Sequence, residues 1–388
     1  MEHLVKIFKE TYVSQIMWMI LGALLIKMYQ LVKIKTLRVI KKNRIKKQSI
    51  TFNYESIISL DHGDPYYYSS NLITQKSDKE LYISIPDGIL ERIREYDPEF
   101  ETRHSRSFNG TSSFKELQDI TGIVDLEALI DKHTDIVANE FLKIIKAGRL
   151  IFNGEKFGVK RIVRGRKNAD EEAALRIEFY KTDYFTHKVF RSIYRELKET
   201  NHEIRKVSDI SQLAPYYPFL TSFGMNALLI IDNCGVEEVV LAERSKYMSN
   251  MGDKSLWHVT MNEGLSITDI QENRIDLYKC VNRGLKEELG IREKYMEEIT
   301  SKVFQDLFIN LDDFEIGVTA IIKTEMQYEN IEDLYKIAKD AELETNQLMS
   351  IKTTRKDVKK FLESNKGYTT KACNYALNMY LARQDTFL

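Results

Sequence analysis

One short segment of the sequence carries residues that could bind a metal ion or a phosphate. From Arg283 its nine residues read Arg-Gly-Leu-Lys-Glu-Glu-Leu-Gly-Ile. Arg283 and Glu287 are four residues apart, so in a helix they can pair along one face. Glu287 and Glu288 would project carboxylate oxygens, the ligands that Mg²⁺ prefers near a phosphate. The segment therefore suits either Mg²⁺-assisted hydrolysis of a phosphoanhydride, with Glu287 and Glu288 as metal ligands, or binding of a phosphorylated ligand.

The pattern around this segment predicts the elements that would hold it. Apolar residues at three- and four-residue steps predict a helix over 276–289, with Leu285 and Leu289 toward the core and Gly290 at its end. An ordinary amphipathic helix with a solvated glutamate pair is the alternative interpretation. The other predicted elements are strands over 158–163, 175–180, 226–231, 237–242, 257–260 and 314–324, and helices over 125–147, 188–200, 331–341 and 368–383.

The segment resembles the second half of a Nudix box, whose pattern is G-x5-E-x7-R-E-U-x-E-E-x-G-U with U aliphatic. Gly284 stands where the box has a glutamate after the arginine, and Ile275 stands at the position of its first glutamate. The nearest glycine, Gly264, lies 19 residues before Arg283 rather than 14. The resemblance therefore implies a Nudix-like fold with a degraded catalytic helix and no assigned catalytic residue. It implies no cofactor other than Mg²⁺, and Mg²⁺ only if the glutamate pair retains hydrolase activity.

Five stretches widen the resemblance to a group of bacterial Nudix-like domains that accompany second-messenger nucleotidyltransferases in cyclic-oligonucleotide-based antiphage signalling (CBASS). They read G-V-K-R-I at 158–162, T-D-Y-F at 182–185, L-A-E-R at 241–244, W-H-V-T at 257–260 and R-G-L-K-E-E-L-G-I at 283–291. The resemblance covers about residues 150–388. It implies an effector that binds a cyclic oligonucleotide made by a nucleotidyltransferase encoded nearby. It also implies that this effector forms homo-oligomers and disrupts the inner membrane.

Two arginines and a tryptophan are the candidates for contacting such a nucleotide. Trp257 could stack its indole ring on a base. Arg244 and Arg283 could meet phosphate, although Arg283 can instead pair with Glu287. Together with Glu287 and Glu288 they form the predicted ligand site. The alternative functions are a membrane-bound, Mg²⁺-dependent pyrophosphohydrolase acting on nucleoside diphosphate derivatives, and an anchored scaffold that senses no ligand.

The N-terminal region is apolar enough to enter a lipid bilayer. No charge interrupts the chain from Ile16 to Ile26, and the flanking residues extend the apolar stretch to about 20, the length of a spanning helix. A single transmembrane span is the interpretation we favour. A helix lying in the interface, a cleaved signal peptide and a buried core helix are the alternatives. The residues predicted to face lipid are Ile16, Trp18, Leu21, Leu24, Leu25 and Ile26.

Charge is distributed unevenly along the chain. Residues 1–50 carry a net charge of +9 and the remainder carries −10, although the whole chain has a net charge of −1. Eight of these cations lie within residues 33–47, directly after the apolar stretch, which favours contact with lipid headgroups over contact with nucleic acid. By the positive-inside rule the N-terminus is expected outside the membrane and the rest of the chain in the cytoplasm. The resemblance implies that this membrane is a bacterial inner membrane. The three cysteines are scattered, so neither a zinc site nor a disulfide framework is indicated.

Length and patterning divide the 388 residues into four predicted parts. These are a transmembrane anchor at 1–32, a basic juxtamembrane segment at 33–48, an α/β extension at 49–150 and a Nudix-like domain at 151–388 with its core at about 221–388. The predicted class is α+β: an N-terminal transmembrane helix, a mixed α/β region and a Nudix-like α/β/α sandwich. Residues 51–150 carry no recognisable chemical motif.

Overall fold

The structure is a computed structural model that describes most of the chain. The described residues are 17–33, 35–37, 39–40, 43–44, 54–60, 72–149, 151–166, 173–207, 210–244, 255–272, 274–339 and 345–384. Ile16, a predicted lipid-facing residue, lies outside them. So do five of the eight cations of the basic segment, namely Arg38, Lys41, Lys42, Lys46 and Lys47.

The described part of the chain contains ten α-helices and thirteen strands. The helices are α1 (Met17–Leu37), α2 (Asp87–Arg94), α3 (Lys115–Thr121), α4 (Leu126–Lys146), α5 (Tyr184–Glu199), α6 (Ile210–Leu213), α7 (Leu277–Leu289), α8 (Tyr328–Tyr335), α9 (Arg355–Ser364) and α10 (Lys371–Gln384). The strands are β1 (Tyr54–Ser59), β2 (Leu72–Glu80), β3 (Glu155–Arg166), β4 (Ala173–Asp183), β5 (Phe223–Asn233), β6 (Val236–Arg244), β7 (Leu256–His258), β8 (Met261–Gly264), β9 (Ile270–Gln271), β10 (Arg274–Ile275), β11 (Ile299–Asn310), β12 (Glu315–Thr324) and β13 (Thr345–Lys352).

Helix α1 stands apart from the packed part of the molecule. It is 21 residues long, and its most apolar 18-residue window has a mean hydropathy of 1.5 with no residue buried. Trp18 and Leu24 expose 70% and 54% of their surface. By length and composition this helix is able to cross a membrane.

Strands β2, β3 and β4 form a three-stranded sheet, and this sheet with helices α4 and α5 is called the upstream unit. Strand β4 lies in its centre, antiparallel to β3 and parallel to β2. Helices α4 and α5 pack together beside this sheet. His133 of α4 is buried between them, where its Nε2 lies 2.9 Å from Glu196 and its Nδ1 lies 2.8 Å from Ser192. Because β2 precedes residue 150 and the other two strands follow it, residues from both sides of the predicted domain boundary share one sheet.

The main sheet is mixed and has the strand order β1-β11-β12-β5-β6-β13. Strands β12 and β5 run parallel, and the other pairs run antiparallel. The hairpin between β5 and β6 turns at Cys234 and Gly235, both with positive φ (54° and 83°), as a tight two-residue hairpin turn of this kind requires. Strand β1, from the predicted extension, forms one edge of this sheet. The extension therefore contributes to both sheets.

Strands β5 and β6 separate at one end, and the segment β7–β8 fills the gap. Strand β7 pairs with the end of β6, and β8 pairs with the start of β5. Thr260, between them, sits at the point of separation. Its hydroxyl accepts a hydrogen bond from Leu229 N at 2.9 Å and donates to the carbonyl of Val240. Both backbone groups thus remain hydrogen-bonded where the two strands part.

The main sheet is covered by helices on both faces. On one face α7 buries Leu285 and Leu289 against alternate residues of β5 and β6 such as Leu229 and Val240. On the other face α9 and α10 bury Phe361, Val358, Leu377 and Tyr380 against the intervening residues of the same strands. The result is a three-layered α/β/α arrangement within a mixed α and β fold, in agreement with the predicted fold class.

A buried ion pair joins the last helix to the main sheet. Arg383 of α10 pairs with Asp306 of β11, and the two side chains are 5% and 0% exposed. Asp306 also accepts a hydrogen bond of 3.0 Å from Thr319 of β12. Removing one partner of such a pair leaves the other charge buried without compensation.

We therefore expect Arg383→Met to lower the free energy of unfolding by about 3–5 kcal/mol. Lys371→Met on the same helix is the control, because Lys371 makes an exposed ion pair with Asp312 and should change stability by less than about 1 kcal/mol. The double variant Asp306→Leu/Arg383→Met should recover most of the loss. Urea unfolding measures all three. Equal effects of the two single variants would contradict a buried pair.

Candidate functional site

Helix α7 is capped by Asp276 at its N-terminal end and by Gly290 at its C-terminal end. Asp276 precedes the helix, and its carboxylate accepts hydrogen bonds from Tyr278 N at 2.8 Å and Lys279 N at 3.3 Å. Gly290 ends the helix in the left-handed region with φ of +69°. A Cβ at this glycine would lie 2.2 Å from the carbonyl oxygen of Leu334, so no side chain fits. The predicted end of the helix at Gly290 is confirmed.

Arg283 occupies the centre of an acidic cluster on the face of α7 that meets β8. Its Nε lies 3.0 Å and its Nη2 lies 2.9 Å from the two carboxylate oxygens of Asp269. Its Nη2 also donates to Gly264 O at 2.7 Å, and its Nη1 lies 3.0 Å from Glu263. The predicted pairing with Glu287 is present at 3.4 Å, as the longest of these contacts. All three guanidinium nitrogens thus hold the loop before α7 against the helix.

Burial and these contacts shift the pKa values of both Arg283 and Glu263. Burial opposes the charge on Arg283, but Asp269 and Glu263 outweigh it and raise the pKa of the guanidinium above its usual range. Burial also raises the pKa of Glu263, with Arg283 acting in the opposite direction. Glu263 therefore takes up a proton at higher pH than an exposed glutamate does.

The two glutamates predicted as metal ligands are engaged elsewhere. Glu288 accepts hydrogen bonds from Asn262 N at 3.1 and 3.3 Å, which fixes β8 to the helix. Glu287 contacts Arg283 and lies 3.5 Å from Lys339. Among the described residues no group of three histidine, cysteine, aspartate or glutamate side chains is placed to hold a metal ion. As arranged, this donor set does not fit Mg²⁺, which needs several converging oxygens in octahedral geometry.

Gly284 shows what replaces the missing carboxylate. A Cβ built at this position would lie 2.3 Å from Sδ of Met261, a buried residue of β8. Helix α7 therefore lies too close to β8 for any side chain at position 284 unless Met261 moves. The thioether fills the space beside this position of the helix, so a glutamate here would have to displace it.

Arg244 reaches this site from the end of β6. It donates to Asn262 Oδ1 at 3.0 Å, and the amide of Asn262 donates in turn to Asn226 at 2.6 Å. His258 is buried nearby, and its Nδ1 has no hydrogen-bond partner in the described part of the chain. Burial and the neighbouring Arg244 hold the pKa of His258 well below its usual range, so this imidazole is neutral at pH 7.

Trp257 lies on the opposite face of the sheet. Its ring meets that of Phe361 in α9 edge to face, with centroids 6.2 Å apart. Its backbone exchanges hydrogen bonds of 2.8 Å with Tyr368 O and Thr370 N. The structure thus brings Arg244, Arg283 and the two glutamates together around β8 and α7, and it does not bring Trp257 to them.

Several residues of this cluster were missed by the sequence interpretation. Glu263 directly precedes Gly264, and Asp269 lies 14 residues before Arg283, where the Nudix pattern has a glycine. Both spacings could have drawn attention to these carboxylates. Lys156 and Glu315, which also approach the cluster, come from strands β3 and β12. No short-range pattern connects them to α7.

The additional residues between Gly264 and α7 form a small hairpin. Strands β9 and β10 pair at Ile270 and Ile275, and Thr74 of β2 donates to the carbonyl of Ile275. Between the hairpin, β2 and the start of α7 lies a cavity of about 300 Å³. The segment between Gly264 and α7, which is longer than the Nudix pattern allows, therefore attaches the upstream unit to α7.

Among known proteins, the chain has matches in the solved structures. No protein-family model and no curated protein matches the sequence. Similar structures include DR0079 from Deinococcus radiodurans (11% identity, 42% of this chain and 84% of that one, TM-score 0.29). Others are the Nudix hydrolase RenU from M. smegmatis (11%, 42% and 84%, 0.24) and the Nudix domain of Shewanella oneidensis NrtR complexed with ADP ribose (18%, 42% and 86%, 0.25). At these TM-scores the likeness alone defines neither fold nor function.

The close contact of α7 with β8 can be tested by substitution. Gly284→Ala should lower the free energy of unfolding by about 1–3 kcal/mol, because the new methyl group overpacks against Met261. Gly88→Ala is the control, since nothing lies within 4 Å of a Cβ at that helical position. Combining Gly284→Ala with Met261→Ala should cost less than the sum of the single variants, and chemical denaturation gives the coupling. Strict additivity would contradict the contact.

Proposed function

We propose that this chain is a membrane-anchored receptor for a nucleotide ligand. The observation that carries the proposal is the state of the predicted catalytic helix. Its carboxylates are bound to Asn262, Arg283 and Lys339, and Met261 fills the space beside Gly284. Such a helix positions a binding loop rather than a metal ion, which supports binding without turnover.

The anionic character of the ligand follows from the cations around the site. Arg244, at the end of β6, contacts Asn262 of β8, and Lys156 of β3 lies beside Gly264 of the same strand. A phosphorylated ligand at β8 would therefore find two cations from different strands. Within this class we propose a cyclic oligonucleotide, supplied by a nucleotidyltransferase encoded nearby, on the basis of the sequence resemblance given above.

The membrane part of the proposal rests on α1 and the cations that follow it. A single span with the N-terminus outside a bacterial inner membrane leaves the α/β part in the cytoplasm, where the messenger is made. One helix cannot enclose a pore, so disruption of the membrane requires homo-oligomers. Ligand-driven assembly would concentrate the anchors in the plane of the bilayer. The proposed role is that of an antiphage effector.

Ligand binding is tested on the purified full chain with cyclic di- and trinucleotides and ADP-ribose. We expect at least one cyclic oligonucleotide to bind and to increase the particle size in solution. We expect no Mg²⁺-dependent release of phosphate or nucleotide, because the carboxylates of α7 have other partners. Turnover on the order of 1 s⁻¹ or faster, lost in Glu288→Gln, would favour the pyrophosphohydrolase instead. Binding without assembly would contradict the effector role, and no binding would favour the scaffold.

The need for the anchor is tested by one charge in the apolar stretch. Leu24→Arg places a cation near the centre of the proposed span, at a cost of roughly 2.5–3.5 kcal/mol on insertion scales. We expect this variant to lose membrane disruption and to keep its affinity for the ligand. A membrane-potential dye in cells that make the messenger reports the first property, and titration reports the second.

The matched control for this variant is Leu31→Arg. Position 31 lies near the basic end of the stretch, where an arginine can extend its charge to the headgroups. Leu31→Arg should therefore still insert and still disrupt the membrane. If Leu24→Arg depolarises cells as strongly as the unmodified chain does, the membrane is not the target.

A further inference from the structure

Strand β3 of the upstream unit places an ammonium group beside the loop that Arg283 holds. A Cβ built on Gly264 would lie 3.4 Å from Nζ of Lys156. The same nitrogen lies 5.6 Å from the centre of the Tyr184 ring. Burial lowers the pKa of Lys156, while the nearby Glu315 and Glu263 act in the opposite direction. The upstream unit therefore contributes a partly buried cation to the group of Arg283, Glu263, Asp269 and Glu287, which we call the α7 cluster.

The carboxylates near Lys156 already have other hydrogen-bonding or ion-pairing partners. Glu263 lies 3.0 Å from Arg283. Glu315 lies 3.0 Å from His187 and 3.7 Å from Arg191, and these contacts outweigh burial and hold its pKa at about 2. In the described part of the chain, no carboxylate lies within ion-pairing distance of Lys156 Nζ and no acceptor lies within hydrogen-bonding distance of it. Lys156 is therefore attracted to Glu263 and Glu315 electrostatically, over distances longer than a hydrogen bond or an ion pair.

Arg283, by contrast, has no nitrogen left for a ligand. Its Nε and Nη2 bind Asp269 and Gly264 O, and its Nη1 lies between Glu263 and Glu287. A phosphate at this arginine would have to displace a carboxylate and would meet the remaining ones at close range. The phosphate-binding role predicted for Arg283 therefore has a better candidate in Lys156.

We propose that Lys156 is the residue of the α7 cluster that binds a phosphate group of the ligand. This inference rests on the proposed function, because it names the anion-binding group of the same site. A lysine ammonium is a compact charge with three donors, well suited to a phosphate oxygen. An ammonium removed from water without a direct partner is unfavourable, and a phosphate supplies that partner. Binding of the ligand then requires the upstream unit as well as the main sheet.

The experiment titrates inorganic diphosphate and the cyclic nucleotides into four versions of the full chain. These are the unmodified chain, Lys156→Gln, Lys156→Arg and Lys160→Gln. Lys160 lies on the same strand and pairs with Glu178 at 2.7 Å, away from the α7 cluster, so its variant is the control. We expect Lys156→Gln to weaken binding of both probes by tenfold or more. Lys156→Arg should stay within a few-fold of the unmodified chain, and Lys160→Gln should not change it.

Chemical labelling of the unmodified chain gives a second measurement that does not depend on the folding of a variant. Diphosphate should protect the Lys156 amine from an amine-reactive acylating reagent and leave Lys160 unprotected. Absence of this protection overturns the proposal. So does an affinity of Lys156→Gln equal to that of the unmodified chain, or an equal loss in Lys156→Arg, which would indicate packing rather than charge.

The outcomes also separate this inference from the proposed function. If a cyclic nucleotide binds the unmodified chain and Lys156→Gln equally well, the role of Lys156 is wrong and the receptor function stands. If neither diphosphate nor any nucleotide binds the unmodified chain, both proposals fail.

Discussion

Arg283 holds the loop 263–269 against α7 through contacts from every nitrogen of its guanidinium group. Two carboxylates of that loop, from Glu263 and Asp269, lie on this one cation, and a third comes from the helix itself. A half-buried cluster of this kind is stable only while its charges balance, because each unpaired ion would bear a desolvation cost. The position of the loop, and of any ligand that contacts it, therefore depends on Arg283 remaining bound to the protein rather than to a ligand.

The close approach of α7 to β8 has a second consequence. The absence of a side chain at Gly284 lets Met261 pack against the helix, and Glu288 completes the contact by accepting from Asn262 N. Both features that would serve a metal ion, a carboxylate at position 284 and a free one at 288, are replaced by contacts that bind the helix to the strand. In this structure both positions therefore serve the contact between the helix and the strand.

The sequence predicted the elements whose signals are local. The helix over 276–289 and its glycine end follow from apolar spacing and from the left-handed conformation that Gly290 adopts. Strand β11 was not predicted, because its residues are apolar on both faces only at the end that β1 and β12 enclose. The edge strand β13 was missed because five of its eight residues are polar and it is recognisable only by its pairing with β6.

The functional site shows the same division between local and long-range information. The pairing of Arg283 with Glu287 is a four-residue relation and could be read directly. The contact of Arg283 with Glu263 joins α7 to β8, and the position of Lys156 Nζ beside Gly264 brings β3 to β8 from a distant part of the sequence. Likewise, Trp257 and Arg244 are near neighbours across β6 and β7, yet they point to different faces. The alternation of side chains along a strand decides this, and only the register of the strands reveals it.

The edge strand β1 follows the proposed anchor in the chain and belongs to the main sheet. Helix α1 ends at Leu37 and β1 begins at Tyr54, and an extended chain spans this interval over at most about 60 Å. Strand β1 pairs with β11, and β11 pairs with β12, whose first residue is Glu315 beside Lys156. The proposed ligand site and β1 thus belong to one hydrogen-bonded sheet, and 16 residues lie between β1 and the proposed anchor. If the chains assemble around a ligand as proposed, the length of this interval confines their anchors to a bounded patch of the bilayer, which is the condition for the helices to meet.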